Sequence, residues 1–553
     1  MSNATDDLGA DAPHPVDTEY RIGQDNITPF GLDVHNPVFL VSGLSIIAFV
    51  LITLMFQSGA TEFFGWLRPF LTSTFDWFCL TAANIFVVFC VFLMVTPMGK
   101  IRLGGADAKP DYSYMGWFAM LFAAGMGIGL MFFGVSEPMS HFASSMSGTT
   151  VEAGARTDWA PLGAAAGDAV AARNLGMAAT IFHWALHPWA IYAIVALSLA
   201  FFTFNRGLPL TLRSAFYPLF GDAVWGWVGH VIDTLAVFAT LFGIATSLGF
   251  GTEQALAGLN FLFGWGTGNV AKVLLITIIT AMALISVLRG LDGGVKILSE
   301  INIGLAGLLL LFVLFVGPTA TIFETIFAGG VAYVKEVIPL SMPFGREDTN
   351  FSQGWTAFYW AWWISWSPFV GMFIARVSRG RSVREFVFCV IIIPTVVSVV
   401  WMGAFGGTAV SQVIADAAAP VKDAALELKL FVMLESLPLA TLTSLLGIVL
   451  VLVFFVTSSD SASLVIDTIT AGGRTNAPVA QRVFWCTFEG VVAATLLLVG
   501  GAEALTALQA MAVSTGFPFT IILLAMCVSL YMGLRQAMKE GKEGKEGKEG
   551  KEG

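Results

Sequence analysis

The sequence predicts an all-α polytopic membrane protein with 12 transmembrane helices. Of its 553 residues, 56% are hydrophobic and only 12% are charged, whereas a soluble domain carries about 25% charged residues. Twelve apolar runs are long enough to cross a bilayer, which takes roughly 20 residues of helix. Helix-breaking residues recur in two of these runs, five spans apart. That recurrence predicts two five-helix halves related by an inverted repeat.

The predicted spans are 37–57, 74–97, 114–146, 174–204, 223–251, 272–289, 298–317, 354–377, 386–406, 438–470, 482–501 and 506–534. Breakers interrupt the third span at 125–138 and the eighth at 365–371. Since five is odd, the second half enters the membrane from the opposite side. The 5+5 inverted repeat therefore comprises helices 3–12, and two extra helices precede it.

These spans divide the chain into six predicted segments. They are a disordered N-terminal tail (1–35), two additional helices (36–112), the first repeat (113–318), an outer amphipathic helix and loop (319–353), the second repeat (354–534) and a flexible tail of Lys-Glu-Gly triplets (535–553). Residues 320–340 and 411–435 mix charged and apolar residues, which predicts amphipathic surface helices rather than spans.

Basic residues set the predicted orientation. Short loops after the even-numbered spans carry Lys100, Arg213 and Arg384, whereas Glu152 and Glu347 lie in the opposite loops. The positive-inside rule then places both termini in the cytoplasm. Residues 1–35 are acidic and contain no apolar core, so we expect no cleavable signal.

Other function classes lack their signatures. No basic tract indicates nucleic-acid binding, and the five cysteines lie in apolar runs without zinc-type spacing, which predicts buried thiols. An enzyme or receptor acting on amines is one alternative, but the membrane segments offer no carboxylate pair, metal set or phosphate loop. A channel is another, although broken helices in two inverted halves favour alternating access.

The third span contains the most informative stretch. Gly125, Gly127 and Gly129 alternate, and Gly134 and Pro138 follow. A membrane helix tolerates such breakers where the freed backbone faces protein or a cavity. Secondary transporters bind substrates and ions at such breaks, whose helix N-termini favour anions. The stretch therefore predicts a substrate site, and glycine lets a ligand approach the backbone.

Two aromatic groups predict what that site binds. The eighth span has five tryptophans, namely Trp355, Trp360, Trp362, Trp363 and Trp366. The fourth has Trp184, Trp189 and Tyr192, which converge if Pro188 distorts the helix. Tryptophan and tyrosine faces attract quaternary ammonium by about 0.5–2 kcal/mol per ring. A zwitterion with an onium head and a carboxylate fits both the aromatic rings and the helix break. The alternative interpretation of the tryptophans is an aromatic belt at the membrane interface.

Two further motifs have competing interpretations. His183 and His187 are four residues apart and could suggest zinc, but without an evident third ligand we predict packed, hydrogen-bonding histidines. The tenth span reads Thr457-Ser458-Ser459-Asp460. Hydroxyls and a carboxylate at membrane depth are costly unless used, which favours a sodium site. The alternative is hydroxyls that bond back to their own helix.

Together, the Gly125–Gly129 pattern, the Glu137-Pro138 pair, the tryptophans of residues 360–366 and the 457–460 motif resemble the betaine/choline/carnitine transporters. The resemblance covers nearly all of residues 37–530. It implies a LeuT-type inverted repeat, alternating access, a homotrimer and a bacterial inner membrane.

The resemblance also implies roles for particular residues. Trp184, Trp189, Tyr192 and Trp363 would form a central cage, next to the substrate-binding glycines Gly125, Gly127 and Gly129. Trp360, Trp362 and Trp366 would support the cage or line the inward path. A sodium site would use the carbonyls of Ala123, Met126 and Phe454 and the hydroxyls of Thr457 and Ser458. Thr240 and Phe369 would belong to a possible second sodium site.

The chain departs from the family pattern twice. Ile244 stands one turn after Thr240, where the second sodium site would need a hydroxyl. The Lys-Glu-Gly tail is charge-balanced, whereas osmotically regulated members have long basic tails. Gly125, Gly127 and Gly129 are intact, which favours sodium over protons as the coupling ion. Residues 235–251 contain no lysine or arginine, which favours sodium coupling over sodium-independent exchange.

The sequence thus predicts a sodium symporter that imports a small methylated-onium osmolyte, most simply glycine betaine. Trimethylamine N-oxide, dimethylsulfoniopropionate, choline and carnitine are alternative substrates, and sodium-independent exchange is an alternative mechanism. The expected partners are that substrate, sodium, membrane lipids and two further copies of the chain, with no nucleic acid. We expect no cofactor and no metal other than the coupling ion.

Overall fold

The computed structural model describes residues 12–125, 127–289 and 295–552. Its helices, in chain order, are α1 (Asn36–Met55), α2 (Gln57–Val95), α3 (Tyr114–Gly125), α4 (Ile128–Met146), α5 (Ala169–Trp184), α6 (Leu186–Phe204), α7 (Tyr217–Phe220), α8 (Trp227–Phe263), α9 (Asn269–Arg289), α10 (Val295–Val316), α11 (Thr319–Ser341), α12 (Thr349–Phe351), α13 (Ala357–Arg376), α14 (Val383–Ala415), α15 (Lys429–Glu435), α16 (Ala440–Thr470), α17 (Val479–Gly500) and α18 (Ala504–Glu552). The described part also contains two antiparallel pairs of two-residue strands, β1 (Asn26–Ile27) with β2 (Val34–His35) and β3 (Val151–Glu152) with β4 (Ala155–Arg156), and several short 3-10 or π-helical turns.

The predicted fold class is confirmed as an all-α polytopic membrane protein. Ten helical stretches of the described residues are long and apolar enough to cross a membrane. The predicted third and eighth spans are helical but are not among these ten, so the count of 12 stays a prediction. The third is divided into α3 and α4, and the eighth, α13, is rich in tryptophan and tyrosine, which prefer interfaces to hydrocarbon.

Two spans are broken in the described part of the chain, and only one of them was predicted to be. The third divides as expected, with Gly127 in an extended conformation ahead of α4. The fourth also divides, at Ala185 between α5 and α6 (φ −110°, ψ −119°), close to Pro188. The predicted break in the eighth span is wrong, because α13 runs continuously through Pro368.

A hydroxyl explains why α13 stays intact. Proline has no N–H to donate to the carbonyl four residues earlier, which here belongs to Ile364. The Ser367 hydroxyl donates to that same carbonyl at 2.7 Å, so the acceptor is satisfied without a break. The inverted repeat therefore has no matching break in its second half and stays a prediction.

Residues 12–35 are folded against the rest of the protein. The prediction of a disordered N-terminal tail is therefore wrong for these residues. Tyr20 stacks on Trp225 with ring centroids 4.1 Å apart, and Asp33 pairs with Arg474 at 2.6 Å. His35 at the end of the β1–β2 hairpin is fully buried. Short acidic segments look disordered by composition, but these residues fold because the loops beneath them supply aromatic and basic partners.

Three peripheral predictions have different outcomes. The predicted helix at 320–340 is confirmed as α11. The predicted helix over 411–435 is wrong, because α14 ends at Ala415 and Lys429 holds the intervening loop by donating to the carbonyls of Val421 and Lys422. The tail, which was predicted to be flexible, has helical backbone to Glu552.

Candidate functional site

The first turn of α4, just after the helix break, lies against two tryptophan rings. A methyl group at Gly129, in the first turn of α4, would sit 2.8 Å from Cη2 of Trp184 and 3.2 Å from Cη2 of Trp362. Real side-chain carbons essentially never approach within 3.0 Å, so any larger residue here would displace the Trp184 ring. The start of α4 thus lies beside the aromatic residues.

Four predicted ring residues form one contiguous cluster, which we call the four-ring cluster: Trp184, Trp189, Tyr192 and Trp363. The ring centroids are 5.1 Å apart for Trp184 and Trp363, 5.4 Å for Trp363 and Tyr192, and 5.4 Å for Tyr192 and Trp189. Each pair meets edge to face, a favourable aromatic geometry. All four residues are at most 8% exposed, so the cluster is closed to solvent in this conformation.

The break between α5 and α6 makes this convergence possible. It separates Trp184 from Trp189 and Tyr192 and frees a carbonyl, that of His183, to which the Trp363 indole donates at 3.1 Å. The Trp189 indole N–H and the Tyr192 hydroxyl are buried and have no hydrogen-bond partner among the described residues. The cluster therefore contains two donors that are free to serve a ligand.

The remaining tryptophans of α13 divide between two sides. Trp362 contacts Phe250 at 5.5 Å and Trp366 at 6.5 Å, and Trp366 contacts Phe369 at 5.5 Å, which forms an aromatic row leading away from the cluster. Trp360 points elsewhere and stacks on His187 at 5.3 Å. Trp360 and Trp362 are at most 5% exposed. These tryptophans lie inside the protein, so the interfacial-belt alternative is wrong for them.

A buried carboxylate organises the cluster, and the sequence analysis did not predict this role. Glu137 is fully buried and accepts from the Trp184 indole at 2.7 Å and from the Tyr359 hydroxyl at 2.6 Å. Its other oxygen accepts from His183 Nδ1 at 2.6 Å and His141 Nε2 at 3.2 Å. The signal in the sequence was an acid at membrane depth, which is costly unless used.

The histidines behave as predicted, within hydrogen-bond networks. His183 bridges Glu137 and the Thr356 hydroxyl, whereas His187 lies 3.0 Å from Asn84 Oδ1. The break at Ala185 separates the two, so the His183–His187 pair considered for zinc does not form. Glu137, His141 and His183 are close enough to share an ion, but hydrogen bonds between them already satisfy the carboxylate.

The predicted sodium site stays a prediction. The Thr457 hydroxyl donates to its own helix, at the carbonyls of Val453 (3.0 Å) and Phe454 (3.3 Å). Thr457 and Ser458 are both half-buried. Met126 lies outside the described residues. Ala123 is part of α3, and its contribution stays a prediction.

The possible second sodium site also stays a prediction. Thr240 is buried, and its hydroxyl has no partner in the described part of the chain. One turn later Ile244 is buried and contributes no oxygen. Phe369 contacts Trp366, which connects it to the aromatic row.

Comparisons with known proteins identify the family of this chain. Residues 37–539 match the model of the betaine/carnitine/choline family transporters. The chain is 64% identical to a glycine betaine/proline/choline transporter of Vibrio parahaemolyticus, over 94% of both chains. It is 55% identical to glycine betaine transporter 1 of that organism, over 94% of this chain and 97% of the relative, and 43% identical to glycine betaine transporter OpuD of Bacillus subtilis, over 86% and 89%. The chain therefore belongs to the betaine/carnitine/choline transporter family, and it is a multi-pass membrane transporter rather than an enzyme.

Proposed function

We propose that this protein imports a small osmolyte, glycine betaine first, by sodium symport with alternating access. The observation that carries the proposal is the four-ring cluster packed against the broken third span. Relatives at 64%, 55% and 43% identity are all named for glycine betaine, which supports the same choice of substrate. Trimethylamine N-oxide, dimethylsulfoniopropionate, choline and carnitine are the alternatives that the rings alone do not separate from it.

The two ends of glycine betaine match two parts of the site. Its trimethylammonium group cannot donate N–H hydrogen bonds, so the faces of Trp184, Trp363 and Tyr192 are its natural contacts. Its carboxylate suits the exposed N–H groups at the start of α4, where the helix dipole favours an anion. Gly129 leaves the space between these two parts. The unpartnered hydroxyl of Tyr192 and indole of Trp189 offer further donors.

Sodium would couple to this substrate through the other side of the broken span. Phe454, Thr457 and Ser458 on α16 supply oxygen atoms of the kind that a hard cation prefers, an extension from divalent ions. Ala123 and Met126, at the end of α3, would supply carbonyls. Substrate and ion would then bind on two sides of the same helix break, so that binding of one would stabilise the conformation that binds the other. In a homotrimer in the bacterial inner membrane, with both termini cytoplasmic, each chain would hold its own site.

Some relatives suggest a wider substrate range. The 64% identical relative is also named for proline and choline, and another at 52% identity for ectoine. Proline and ectoine lack a quaternary ammonium, so they would rely more on the carboxylate contacts. Competition among these compounds therefore shows how much the aromatic rings and the N-terminus of α4 each contribute to substrate binding.

The test is uptake of radiolabelled glycine betaine into proteoliposomes, with an inward gradient of sodium chloride or of N-methylglucamine chloride. Sodium-dependent accumulation supports symport, whereas equal uptake in both salts contradicts it. Counterflow from substrate-loaded liposomes without sodium would indicate exchange. Unlabelled trimethylamine N-oxide, dimethylsulfoniopropionate, choline, carnitine, proline and ectoine then compete, and a best competitor other than glycine betaine would replace it as the substrate.

A further inference from the structure

A second buried polar cluster lies where α9, α16 and α17 pack together, and the proposed transport does not use it. Glu489 of α17 and Asp460 of α16 are 0% and 1% exposed. Ser459 donates its hydroxyl to Glu489 Oε2 at 2.6 Å. Two carboxylates are thus held close to one another inside a membrane protein, which corrects the prediction that the membrane segments contain no carboxylate pair.

The cluster has more acceptors than donors. Glu489 Oε1 and Asp460 Oδ2 are buried and have no hydrogen-bond partner in the residues that the structure describes. Two buried hydroxyls of α9 lie nearby. That of Ser286 is close enough to Asp460 to donate to it, whereas that of Thr280 has no partner in the described chain and lies against Gly490, the residue after Glu489. The cluster therefore draws its oxygens from three helices, and Glu489 keeps one oxygen without a donor.

Arginine neutralises this cluster only in part. Arg482 of α17 is paired with Asp467, Nε to Oδ2 at 3.9 Å, and its charge also acts on Asp460. Arg482 and Glu489 are seven residues apart on α17, which is about two helical turns. Since an unpaired buried charge is strongly unfavourable, Glu489 requires a cation that this side chain does not supply.

The ligand atoms identify the kind of cation. Carboxylate and hydroxyl oxygens are the ligands of hard metal ions. We propose that Glu489 and Asp460, with Ser459, Ser286 and Thr280, form a binding site for one sodium ion. It is distinct from the site proposed at Thr457 and Ser458, whose side chains are half-buried, whereas Ser459 and Asp460 are buried.

The two proposed sites divide the polar motif of α16 between them. Successive helical residues point about 100° apart, so Ser458 and Ser459 face different directions, although Thr457 and Asp460, three residues apart, share a face. Thr457 bonds to its own helix, whereas Ser459 reaches α17 and Asp460 faces α9. The new site requires neither the four-ring cluster nor a substrate. Its failure would therefore leave the proposed osmolyte transport standing, and the converse also holds.

Equilibrium binding of radioactive sodium to the purified full-length protein tests this site without any transport step. The Thr457→Ala/Ser458→Ala variant removes the other proposed site and should still bind about one sodium per chain. Adding Glu489→Gln or Asp460→Asn to it should reduce bound sodium at least 10-fold. Adding Glu324→Gln, at an exposed carboxylate on α11, is the matched control and should change nothing.

Milder substitutions keep the test informative if the carboxylate variants misfold. Ser286→Ala and Thr280→Val each remove one oxygen but keep both charges, and each should weaken sodium binding roughly 3- to 10-fold in protein that elutes as a single species. Sodium binding that is unchanged by all four substitutions would overturn the proposal. So would a complete lack of bound sodium in the Thr457→Ala/Ser458→Ala protein at pH 8.5, because the compensating cation would then be a proton.

Discussion

Two glutamates are completely buried in this bundle, and their surroundings differ in the supply of donors. Glu137 accepts hydrogen bonds from Trp184, Tyr359, His183 and His141, which together occupy both of its oxygens. Glu489 accepts one, from Ser459, and its other oxygen has no partner in the described chain. The same side chain is therefore a structural anchor in one place and a candidate cation ligand in the other.

A buried carboxylate in a membrane protein can therefore have either of two roles, depending on how many donors surround it. A carboxylate surrounded by donors fixes the orientation of each donor, and at Glu137 two of these are aromatic residues of the candidate substrate site. A buried carboxylate with too few donors instead needs a positive charge nearby. Composition cannot separate the two cases, because both are single acids within apolar helices.

Replacing Glu137 with glutamine should have the largest effect. The amide offers one acceptor oxygen where the carboxylate has two, so either the tryptophan and tyrosine donors or the two histidines lose their partner. Each buried donor left unsatisfied costs about 1–3 kcal/mol. We expect Glu137→Gln to lower kcat/KM for glycine betaine uptake at least 100-fold in proteoliposomes.

Glu324→Gln is the control for that experiment, since Glu324 is an exposed acid on α11 paired with Arg173. It should transport at the wild-type rate. Intrinsic tryptophan fluorescence should also change in Glu137→Gln, because the Trp184 indole loses its partner. Wild-type uptake by Glu137→Gln would show that the carboxylate does not position the rings.

Trp363→Ala tests the other side of the four-ring cluster, where the ring is held by the carbonyl of His183 and not by Glu137. It removes the ring that joins Trp184 to Tyr192. We expect KM for glycine betaine to rise at least 10-fold, through about 0.5–2 kcal/mol of lost cation–π attraction and the loss of packing.

The matched control is Trp485→Ala. Trp485 is also fully buried, but it packs against Phe39 and Phe484. Both variants should lower the thermal unfolding midpoint, whereas only Trp363→Ala should raise KM. Equal values of KM for Trp363→Ala and the wild type would remove Trp363 from the binding site.

Gly129→Ala should have a smaller effect on the same site. The added methyl group would lie 2.8 Å from Trp184, so that ring must shift while its hydrogen bond to Glu137 resists the movement. We expect KM to rise about 5-fold, by about 1 kcal/mol. Gly127→Ala adds a methyl that meets no atom within 4 Å, and its effect should be smaller. The reverse order would mean that backbone freedom matters more here than space.

Much of this arrangement follows from local sequence patterns. Apolar runs of sufficient length predicted the long helices, and the alternating glycines predicted the break before α4. The four ring residues could be grouped because a particular chemistry requires several aromatic faces. These features depend on residues that are near one another in the chain or on composition, which the sequence displays directly.

The features that were missed depend on distant partners. The helix α13 continues through Pro368 because Ser367 satisfies the freed carbonyl, a choice of rotamer that no pattern reports. Glu137 gained its role because donors from α5 and α13 converge on it. The segment before α1 is ordered because Trp225 and Arg474, from later loops, contact it. In each case tertiary contacts override the local preference.

Thr457→Ala should have the smallest effect, and it sharpens the distinction between the two proposed sodium sites. If Thr457 contributes to the ion that drives uptake, its loss should raise the sodium concentration for half-maximal glycine betaine uptake about 3-fold, with the rate at saturating sodium nearly unchanged. Thr468→Val is the matched control, because Thr468 donates to the carbonyl of Leu464 at 2.9 Å in the same back-bonded manner. An equal shift in both variants would assign the effect to helix geometry, and an unaltered sodium dependence in Thr457→Ala would leave Glu489 and Asp460 as the better candidates for the coupling ion.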